Sequence, residues 1–582
     1  MEEVKTEVTT EVKTEVVVVP TRTGIAAIKK EFLRLTNVEV SFFSVSFDFC
    51  LQVDEPKVEK SENAVGTKPR SEHRGMDRKR EKKMSQARAE VRSKTARLCP
   101  SLIHADRECR YGAKCNAEHS IETFMQTKTP DLGDQCVIYE ATGKCQFSVA
   151  CRFASAHTGA DFTQLTKEPK SDYQPIVNMN TVPLQKMLRK HEFDFSKSQK
   201  FWACAEYANR KADDPPVGVM EREELKLDMR SLAGKRYLAP LTTVGNLPFR
   251  RLCVDLGAEI TCGEMAMATQ LLQGSPSEWT LTRRHPCEKI FGVQLAGGYP
   301  DTLSRAAQVI TEKLDVDFID LNLGCPIDAV NDKGGGCSLA NRSNKLLQVI
   351  PAMQYVMGST PLTIKMRYGL KENDYTAHHI IRKVVENCPP QLITLHPRSK
   401  EQRYSKLAEW HYVPKCIEAT NKKTPLWVCG DVYSWHDYYD RLESSGIDGI
   451  MIGRGALIKP WLFTEIDERR DWDITASERL ELIRKYVNYG LEYWGSDDAG
   501  VENTRRFLLE WMSFHHRYVP LGLLEYLPAR MNEKPPPYFG RSDLETLLAS
   551  KASSDWVKVT EMFLGKVPDG HLFVPKHRAN AW

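Results

Sequence analysis

The chain has 582 residues, of which 41% are hydrophobic and 27% are charged, and these proportions are typical of a globular protein with several domains. The formal net charge of +4 hides an uneven distribution of charge along the chain. No stretch approaches the roughly 18–20 consecutive apolar residues of a membrane span. The acidic N-terminus also lacks the apolar core of a secretory signal, so neither a membrane protein nor a secreted protein is expected.

Cysteine usage points in the same direction. Of the 16 cysteines, six fall in one short window that also holds two suitably spaced histidines, and the others are scattered through apolar runs. In the absence of a secretory signal, we expect reduced thiols that serve metal binding or catalysis. The sequence therefore predicts a soluble protein of the cytoplasm, the nucleus or both.

The first 98 residues have low complexity and carry the uneven charge. The hexapeptide EVKTEV occurs at Glu3–Val8 and again at Glu11–Val16, and Pro56–Leu98 contains 14 Lys or Arg residues against 6 Asp or Glu residues. Such a segment is expected to be disordered and solvated, and often serves as an arm that contacts nucleic acid. The sequence leaves open whether this segment is a nucleic-acid-binding arm or a plain linker.

Residues 99–157 contain two groups of three cysteines and one histidine. The first group is Cys99, Cys109, Cys115 and His119, and the second is Cys136, Cys145, Cys151 and His157. Three thiolates and one imidazole suit tetrahedral Zn²⁺, and so short a segment needs a metal to be stable. The pattern predicts tandem CCCH zinc fingers, of which the second has an unusually long final gap.

CCCH fingers place aromatic and basic residues between their ligands, where these side chains contact single-stranded RNA. The residues of this kind are Arg110, Tyr111, Lys114, Lys144, Phe147, Arg152 and Phe153. They predict RNA binding by both fingers. The alternative is a zinc-stabilised module that docks on the rest of the chain and touches no RNA.

After a connector at residues 158–234, residues 235–469 alternate short apolar runs with helix-length amphipathic segments. The predicted strands are Arg236–Thr242, Glu259–Glu264, Ile290–Ala296, Phe318–Leu323, Leu362–Arg367, Leu392–His396, Leu426–Cys429 and Gly449–Ile452. Eight such units predict an α/β fold of the (β/α)8 TIM-barrel type rather than an open sheet. Residues 470–582 lack strand patterns and predict a C-terminal helical domain, which begins with a capping box at Thr475 and Glu478.

Catalytic residues of such barrels lie at the carboxyl ends of the strands. The candidates at these positions are Pro240, Leu241, Thr242, Gln294, Asn322, Cys325, Lys365, Arg367, His396, Arg398, Cys429, Gly430, Asp431, Gly453 and Arg454. The glycine-rich turn beside Arg454 suits a phosphate, and Lys365 suits the N1–C2 edge of a flavin. Cys325, between a glycine and a proline, is expected to present its thiol to the pocket.

Several segments resemble the tRNA-dihydrouridine synthase family. They are APLTTVGNLPFRRLC, GVQLAGG, DLNLGCPIDAVNDKGGG, IKMRYG, LHPRSKEQRYS, CGD and MIGRGAL, and they span residues 235–470. The paired CCCH fingers and the stretch from Thr504 to Trp582 are similar to the eukaryotic subfamily that acts on U47 of the tRNA variable loop.

The resemblance implies an FMN enzyme that uses NADPH or NADH to reduce uridine in tRNA, with messenger RNA left open as a second substrate. It implies hydride transfer to C6 and proton transfer from Cys325 to C5. It further implies FMN contacts from Pro240, Leu241, Thr242, Gln294, Lys365, His396, Gly430, Asp431, Gly453 and Arg454. Cys429, also predicted to bind the cofactor, occupies a position where the family usually has Asn, so a thiol replaces an amide at one flavin contact.

Substrate contacts are predicted for Asn322, Arg367 and Arg398 at the barrel mouth, and for Arg505 and Arg506 in the helical domain, which would hold the tRNA. Two other readings stay open. One is an RNA-binding adaptor with an inactive barrel, and the other is an FMN oxidoreductase that acts on a small molecule.

Overall fold

The computed structural model describes residues 26–34, 97–103, 108–204, 223–402, 404, 406–527 and 534–576. The EVKTEV repeats and nearly all of the basic segment before Cys99 lie outside these ranges. Within them, none of the helices combines the length and the apolar character needed to cross a bilayer.

A closed parallel barrel forms the body of the molecule. Its strands are β1 (Tyr237–Leu238), β2 (Ile260–Cys262), β3 (Ala266–Met267), β4 (Ile290–Ala296), β5 (Phe318–Leu323), β6 (Leu362–Gly369), β7 (Leu392–Ser399), β8 (Leu426–Val428) and β9 (Gly449–Ile452). Strand β1 pairs with both β2 and β9, which closes a ring of eight, while the two-residue β3 follows β2 and pairs only with β4. The predicted (β/α)8 fold is confirmed, with β1 and β2 shorter than expected and β6 and β7 longer.

Helices surround the barrel and flank it on both sides in sequence. Before it lie α1 (Pro100–Ile103), α2 (Ile121–Thr127), α3 (Val137–Thr142), α4 (Val182–Arg189) and α5 (Ser196–Ala203). Within it lie α6 (Leu247–Asp255), α7 (Ala268–Leu272), α8 (Pro276–Trp279), α9 (Pro300–Lys313), α10 (Asp328–Asn331), α11 (Cys337–Ala340), α12 (Ser343–Met357), α13 (Ala377–Asn387), α14 (Val413–Ala419), α15 (Trp435–Ser445), α16 (Arg454–Ile458) and α17 (Leu462–Glu468). After it lie α18 (Ala476–Trp494), α19 (Asp498–His515), α20 (Asp543–Leu548) and α21 (Ser553–Leu564).

Large aromatic side chains fill the lower interior of the barrel. The Tyr237 ring makes edge contacts with the rings of Phe318 and Trp427, at centroid distances of 6.1 Å and 5.8 Å. Glycine is required opposite two of these rings, since a Cβ on Gly292 would lie 2.2 Å from Phe318 and one on Gly449 would lie 2.5 Å from Trp427. The lower interior is thus a packed apolar floor, and only the upper half can admit a ligand.

The connector is more ordered than predicted. Met229 and Leu232, on a short 3-10 turn, are buried against the aromatic floor and close the lower end of the barrel. Helix α5 packs on α9 and α12, where the hydroxyls of Ser198 and Ser304 are 2.8 Å apart. The prediction of an irregular connector at 158–234 was wrong for these parts, because their apolar residues complete the barrel core.

The prediction of disorder for residues 1–98 was wrong for residues 26–34. Ala26 and Ile28 are buried against Leu523 and Leu524, and the Lys29 N–H donates to the Leu523 carbonyl at 2.9 Å. This short segment contains a 3-10 turn at Lys30–Phe32 and joins the C-terminal region through isolated bridges from Ile28 to Leu524 and from Leu33 to Tyr538. These contacts are non-local, so no local pattern indicates them.

The helical domain shares one core with the barrel. The capping box predicted at Thr475 and Glu478 starts α18. Trp511 on α19 packs against Phe249 on α6, and its indole N–H donates to the Leu457 carbonyl at 3.0 Å. Helices α18 and α19 are therefore fixed beside the carboxyl end of β9.

Candidate active site and metal sites

A layer of polar side chains lies above the aromatic floor. Gln294, Asp320 and Thr363 stand on adjacent strands in register, and Asp320 accepts from the Gln294 amide at 2.7 Å and from the Thr363 hydroxyl at 2.6 Å. Burial raises the pKa of Asp320, while the two hydrogen bonds and nearby Lys365 oppose that shift. This network fixes the orientation of the Gln294 amide.

Asn322 links that layer to the loop that carries Cys325. Its amide nitrogen donates to Gln294 Oε1 at 2.8 Å, and its Oδ1 accepts from the backbone N–H groups of Gly324 and Cys325 at 3.1 Å and 2.9 Å. The Arg367 guanidinium donates to the Gly324 carbonyl at 2.9 Å. The loop after β5 is therefore held from two strands.

The Cys325 thiol lies in a small apolar cluster at the barrel mouth. It packs with Ala296 and Val330, and the flexible side chains of Met265 and Met267 lie against the cluster. Burial raises the pKa of the Cys325 thiol above its ordinary value, although a hydrogen bond from the Ile327 backbone and the cations of Arg367, Lys365 and Lys400 act in the opposite direction. At neutral pH the group is a neutral thiol, which can donate a proton.

Lys365 and Thr394 are adjacent partners across β6 and β7 and lie beside the network. Among the described residues, no hydrogen bond or ion pair engages the Lys365 ammonium, and the buried Thr394 hydroxyl has no partner either. A cation and a buried hydroxyl without partners are costly unless a ligand satisfies them. This pair fits the polar, partly anionic edge of a flavin ring.

His396 follows Thr394 on the same face of β7. Burial lowers the pKa of His396 well below its usual range, and the cations of Arg367, Lys365, Arg398 and Arg454 add to that effect. The ring is therefore neutral. Its Nε2 lies 3.2 Å from Arg398 Nη1, and since a guanidinium can only donate, Nε2 accepts and Nδ1 carries the proton.

Asp431 binds two of the predicted arginines. Arg398 Nη2 donates to both carboxylate oxygens at 2.6 Å and 2.7 Å, and Arg454 Nη2 donates to Oδ1 at 2.8 Å. The Asp431 backbone is left-handed, with φ 51°, which is unfavourable for a residue with a Cβ. These contacts hold the turn after β8 next to Gly453, which precedes α16.

The remaining predicted barrel residues lie at the same end. They are Pro240, Leu241 and Thr242 after β1, and Cys429 and Gly430 after β8. Thr242 is exposed, whereas Pro240, Leu241 and Cys429 are half-buried. The structure thus brings every predicted barrel residue to one rim.

Two of the four arginines predicted to contact substrate, Arg367 and Arg398 at the barrel mouth, are buried and hydrogen-bonded to protein groups. Arg398 is fully buried, donates to both carboxylate oxygens of Asp431, and also donates to the Lys406 carbonyl at 2.9 Å. Arg367 is buried and donates to the carbonyls of Gly324 and Ser399. Arg367 therefore positions the loop that carries Cys325, and Arg398 positions Asp431 in the turn after β8. These contacts arise from tertiary packing, which the sequence pattern did not indicate.

Glu264 lies just after the carboxyl end of β2 but was not among the predicted site residues. The expectation that site residues follow the barrel strands applies to it equally. Its carboxylate accepts from the Thr243 N–H at 2.5 Å, which holds Thr243 in a left-handed conformation with φ 75°. Burial raises the pKa of Glu264 to about 7. This carboxyl group therefore changes charge near neutral pH beside the Pro240–Thr242 turn.

Exposed large hydrophobic side chains of the barrel are confined to the same rim. Between residues 235 and 469 of the described chain they are Tyr299, Ile327, Tyr404 and Leu407, which follow β4, β5 and β7. Tyr404 lies 4.2 Å from the Arg454 guanidinium, and Tyr299 lies 4.8 Å from the Lys345 ammonium. A rim of aromatic and cationic groups suits nucleobases and phosphates.

Both Cys/His groups are assembled. The ligand atoms of Cys99, Cys109, Cys115 and His119 lie within 4.8 Å of one another, and so do those of Cys136, Cys145, Cys151 and His157. In the second group both ring nitrogens of His157 are buried without a hydrogen-bond partner. Such a ring, beside three thiols, fits Zn²⁺.

The two groups differ in their surroundings. Arg110, Tyr111 and Lys114 of the first group are exposed, with Tyr111 at 71%. In the second group Phe153 is buried, Phe147 packs on the core, and the Arg152 guanidinium pairs with Asp498 at 2.9 Å. The prediction that Phe147, Arg152 and Phe153 contact RNA was wrong because these side chains face the protein; Lys144 stays exposed.

Arg505 is also buried rather than available to tRNA. It donates to the Thr560 hydroxyl at 2.8 Å and to the carbonyls of Leu564 and Gly565 at 2.5 Å and 2.8 Å. The prediction of a tRNA contact for Arg505 was wrong, since the side chain joins α19 to the end of α21. Arg506 is half-buried, with its guanidinium 5.5 Å from the Phe507 ring.

Comparison with known proteins shows two family matches and three related proteins. The family described as Dihydrouridine synthase (Dus) matches residues 237–516, and the DUS3L CCCH zinc finger domain matches residues 95–127, which include the first Cys/His group. The chain is 46% identical to tRNA-dihydrouridine(47) synthase (NAD(P)(+))-like of Homo sapiens over 535 residues, which cover 84% of this chain and 81% of the relative. It is 53% identical to tRNA-dihydrouridine(47) synthase (NAD(P)(+)) of Coprinopsis cinerea over 64% of this chain and 56% of the relative. Against the Arabidopsis thaliana relative the identity is 35%, with 96% and 93% covered.

Proposed function

Because the chain belongs to the dihydrouridine synthase family and is an oxidoreductase of the tRNA-dihydrouridine synthase kind, we propose that it reduces the uridine at position 47 of tRNA with bound FMN and NADPH. NADH is the alternative reductant. The observation that carries the proposal is the neutral Cys325 thiol, held by Asn322 at the mouth of a barrel whose interior is polar above an aromatic floor.

The polar layer would hold the flavin ring. Lys365 and Thr394 offer a cation and a hydroxyl that bind no other described residue, and His396 Nδ1–H and the oriented Gln294 amide offer further donors. The Gly453–Arg454 turn would hold the phosphate. Reduced FMN, when bound, supplies the hydride for C6 of the uracil.

Cys325 then acts as the proton donor to C5. The thiol is neutral because burial raises its pKa, and Asn322 and Arg367 keep its loop in place through the Gly324 and Cys325 backbone. The apolar side chains of Ala296 and Val330 keep water from the thiol. A proton is therefore delivered from one defined position.

The rim supports an RNA substrate rather than a free base. A uridine must leave its stack to reach the barrel, and the exposed rings of Tyr299 and Tyr404, each beside a cation, suit the unstacked nucleotides around it. The exposed Arg110, Tyr111 and Lys114 of the first finger would add affinity for tRNA. Messenger RNA would satisfy the same chemistry.

A spectroscopic titration tests the proposal. The purified protein should show oxidised-flavin absorption that bleaches with NADPH under anaerobic conditions and returns when uridine-containing tRNA is added. Free uracil serves as the control, because its ability to restore the bands would indicate a small-molecule oxidoreductase. A protein that binds tRNA but cannot be loaded with FMN would be an RNA-binding adaptor.

A further inference from the structure

The second Cys/His group lies against the turn that joins α18 to α19. The three thiols and His157 are all buried, and Cys151 forms an isolated antiparallel bridge with Asp497 in that turn. Residues 495–498 thus face the metal ligands directly. Among the described residues, no such bridge joins the first group to the helical domain, and Cys109 and Cys115 are half-buried while His119 is exposed.

Ser496 brings a hydroxyl to the ligand sulfurs. Its Oγ lies 3.0 Å from Cys151 Sγ and 3.6 Å from Cys145 Sγ, and the residue is 1% exposed. A cysteine that binds zinc is a thiolate and can only accept. In the structure the protonated Cys151 thiol donates to the Ser496 hydroxyl. Once the sulfurs are thiolates, the hydroxyl becomes the donor, and Cys151 is the nearer of its two acceptors.

Further hydrogen bonds join the 495–498 turn to the second finger. The Arg152 N–H donates to the Ser496 carbonyl at 2.8 Å, and Asp498 accepts from the Arg152 guanidinium and from the Thr129 hydroxyl, both at 2.9 Å. Gly495 has φ +110°, and a Cβ there would lie 2.4 Å from the Phe147 ring. The turn and the finger surface are therefore complementary in shape as well as in hydrogen bonding.

We propose that the second Cys3His group is a metal-dependent joint between the finger module and the helical domain, in which the Ser496 hydroxyl binds the Cys151 thiolate. Metal binding orders the four ligands, and the ordered thiolate orients Ser496. The start of α19 is thereby fixed. Outer-sphere hydrogen bonds of this kind typically change metal affinity by about 10–100-fold. The first group lacks such a joint and leaves its own surface to RNA.

Because only the second metal site contacts the helical domain in the proposed joint, loss of the second metal should loosen that domain and loss of the first should not. Removal of the second metal should increase amide hydrogen exchange in the 495–498 turn and at the adjoining ends of α18 and α19. Removal of the first metal should leave these amides unchanged, because its ligands lie elsewhere. The variant Cys109→Ser removes the first metal selectively, and Cys151→Ser removes the second.

The test uses the full chain and two matched variants. In Ser496→Ala the second metal should be lost about 10–100-fold more readily to a competing chelator. In Ser513→Ala, which removes a buried hydroxyl that donates to the Glu510 carbonyl within α19, metal retention should match the unchanged protein. With cobalt(II) in place of zinc, Ser496→Ala should also shift the thiolate-to-metal charge-transfer band.

Three results would overturn the proposal. They are equal metal retention in Ser496→Ala and Ser513→Ala, an unchanged cobalt spectrum, or amide exchange in the turn that does not respond to loss of the second metal. If Ser496→Ala does not fold, the exchange comparison between Cys109→Ser and Cys151→Ser still decides. None of these readouts depends on uridine reduction, so the proposed function can fail separately.

Discussion

Cys325 illustrates how burial can select one role for a reactive side chain. A nucleophilic cysteine needs a lowered pKa, whereas burial raises the pKa of this thiol despite three nearby cations. The hydrogen bonds of Asn322 act on the backbone of the loop, so they position the thiol without ionising it. A positioned neutral thiol is an acid rather than a nucleophile.

Replacement of this thiol tests the role directly. Cys325→Ala should keep bound flavin and its reduction by NADPH but form dihydrouridine about 10²–10⁴-fold more slowly, the usual contribution of a general acid. Cys416→Ala, at a buried cysteine on α14, is the matched control and should keep full activity. Undiminished activity in Cys325→Ala would refute the proton-donor role.

The pH dependence follows from the raised pKa. An acid is active while protonated, so a thiol with its pKa above the ordinary value stays active to higher pH. The single-turnover rate of uridine reduction should not fall until the pH exceeds about 8.5, the usual pKa of a free cysteine. A loss of rate with a midpoint below pH 8, absent from the residual rate of Cys325→Ala, would contradict a raised pKa.

At the scale of elements, α19 carries a pair of adjacent arginines that suggests an exposed basic surface, although one of the two is buried. The adjacent arginines at 505 and 506 read as a basic patch, yet Arg505 faces α21 and donates to one hydroxyl and two carbonyls at its end. Its pKa is lowered by burial, so the charge costs free energy that these hydrogen bonds offset. Arg505 therefore contributes to stability.

Arg505→Ala should lower the thermal unfolding temperature, with a loss of stability of about 1–3 kcal/mol from unsatisfied buried carbonyls. The affinity of the folded protein for tRNA should be unchanged. Arg506→Ala is the neighbouring control and should destabilise the protein less. A loss of tRNA affinity in Arg505→Ala without a change in unfolding temperature would restore the RNA-binding role.

At the scale of the whole molecule, two exposed surfaces are candidates for substrate contact, and a third region supports them. The barrel rim exposes Tyr299, Ile327, Tyr404 and Leu407, and the first finger exposes Tyr111 with its basic neighbours. The second finger and the helical domain form a support, joined at the 495–498 turn. RNA contacts are thus expected from loops and from the first finger.

Tyr299→Ala tests the rim as a base-stacking surface. Loss of one stacking contact should weaken tRNA binding by about tenfold, within the 1–3 kcal/mol typical of a base on an aromatic ring. Flavin reduction by NADPH should not change. Tyr526→Ala, at an exposed tyrosine of the C-terminal region, should bind tRNA normally; equal effects from both variants would exclude a specific role of the rim.

Local patterns were sufficient for much of this protein. Apolar strands, their spacing and the glycines and prolines that end them depend on short-range rules, so the eight barrel strands and the rim position of Cys325, Lys365 and Arg454 could be predicted. The same holds for the ligand spacing of both Cys/His groups. The capping box before α18 was likewise readable from Thr475 and Glu478.

Burial and partners could not be read in this way, because they depend on residues far apart in sequence. Arg398 binds Asp431, and Arg505 donates to the Thr560 hydroxyl inside the helical domain. Ser496 contacts Cys151, from which it is separated by 345 residues in the sequence. Residues 26–34 pack through Ala26 and Ile28 against Leu523 and Leu524, nearly 500 residues later in the chain. Residue type and spacing specify which chemistry is available, while the packing of distant segments determines whether a side chain faces solvent, a ligand or another part of the chain.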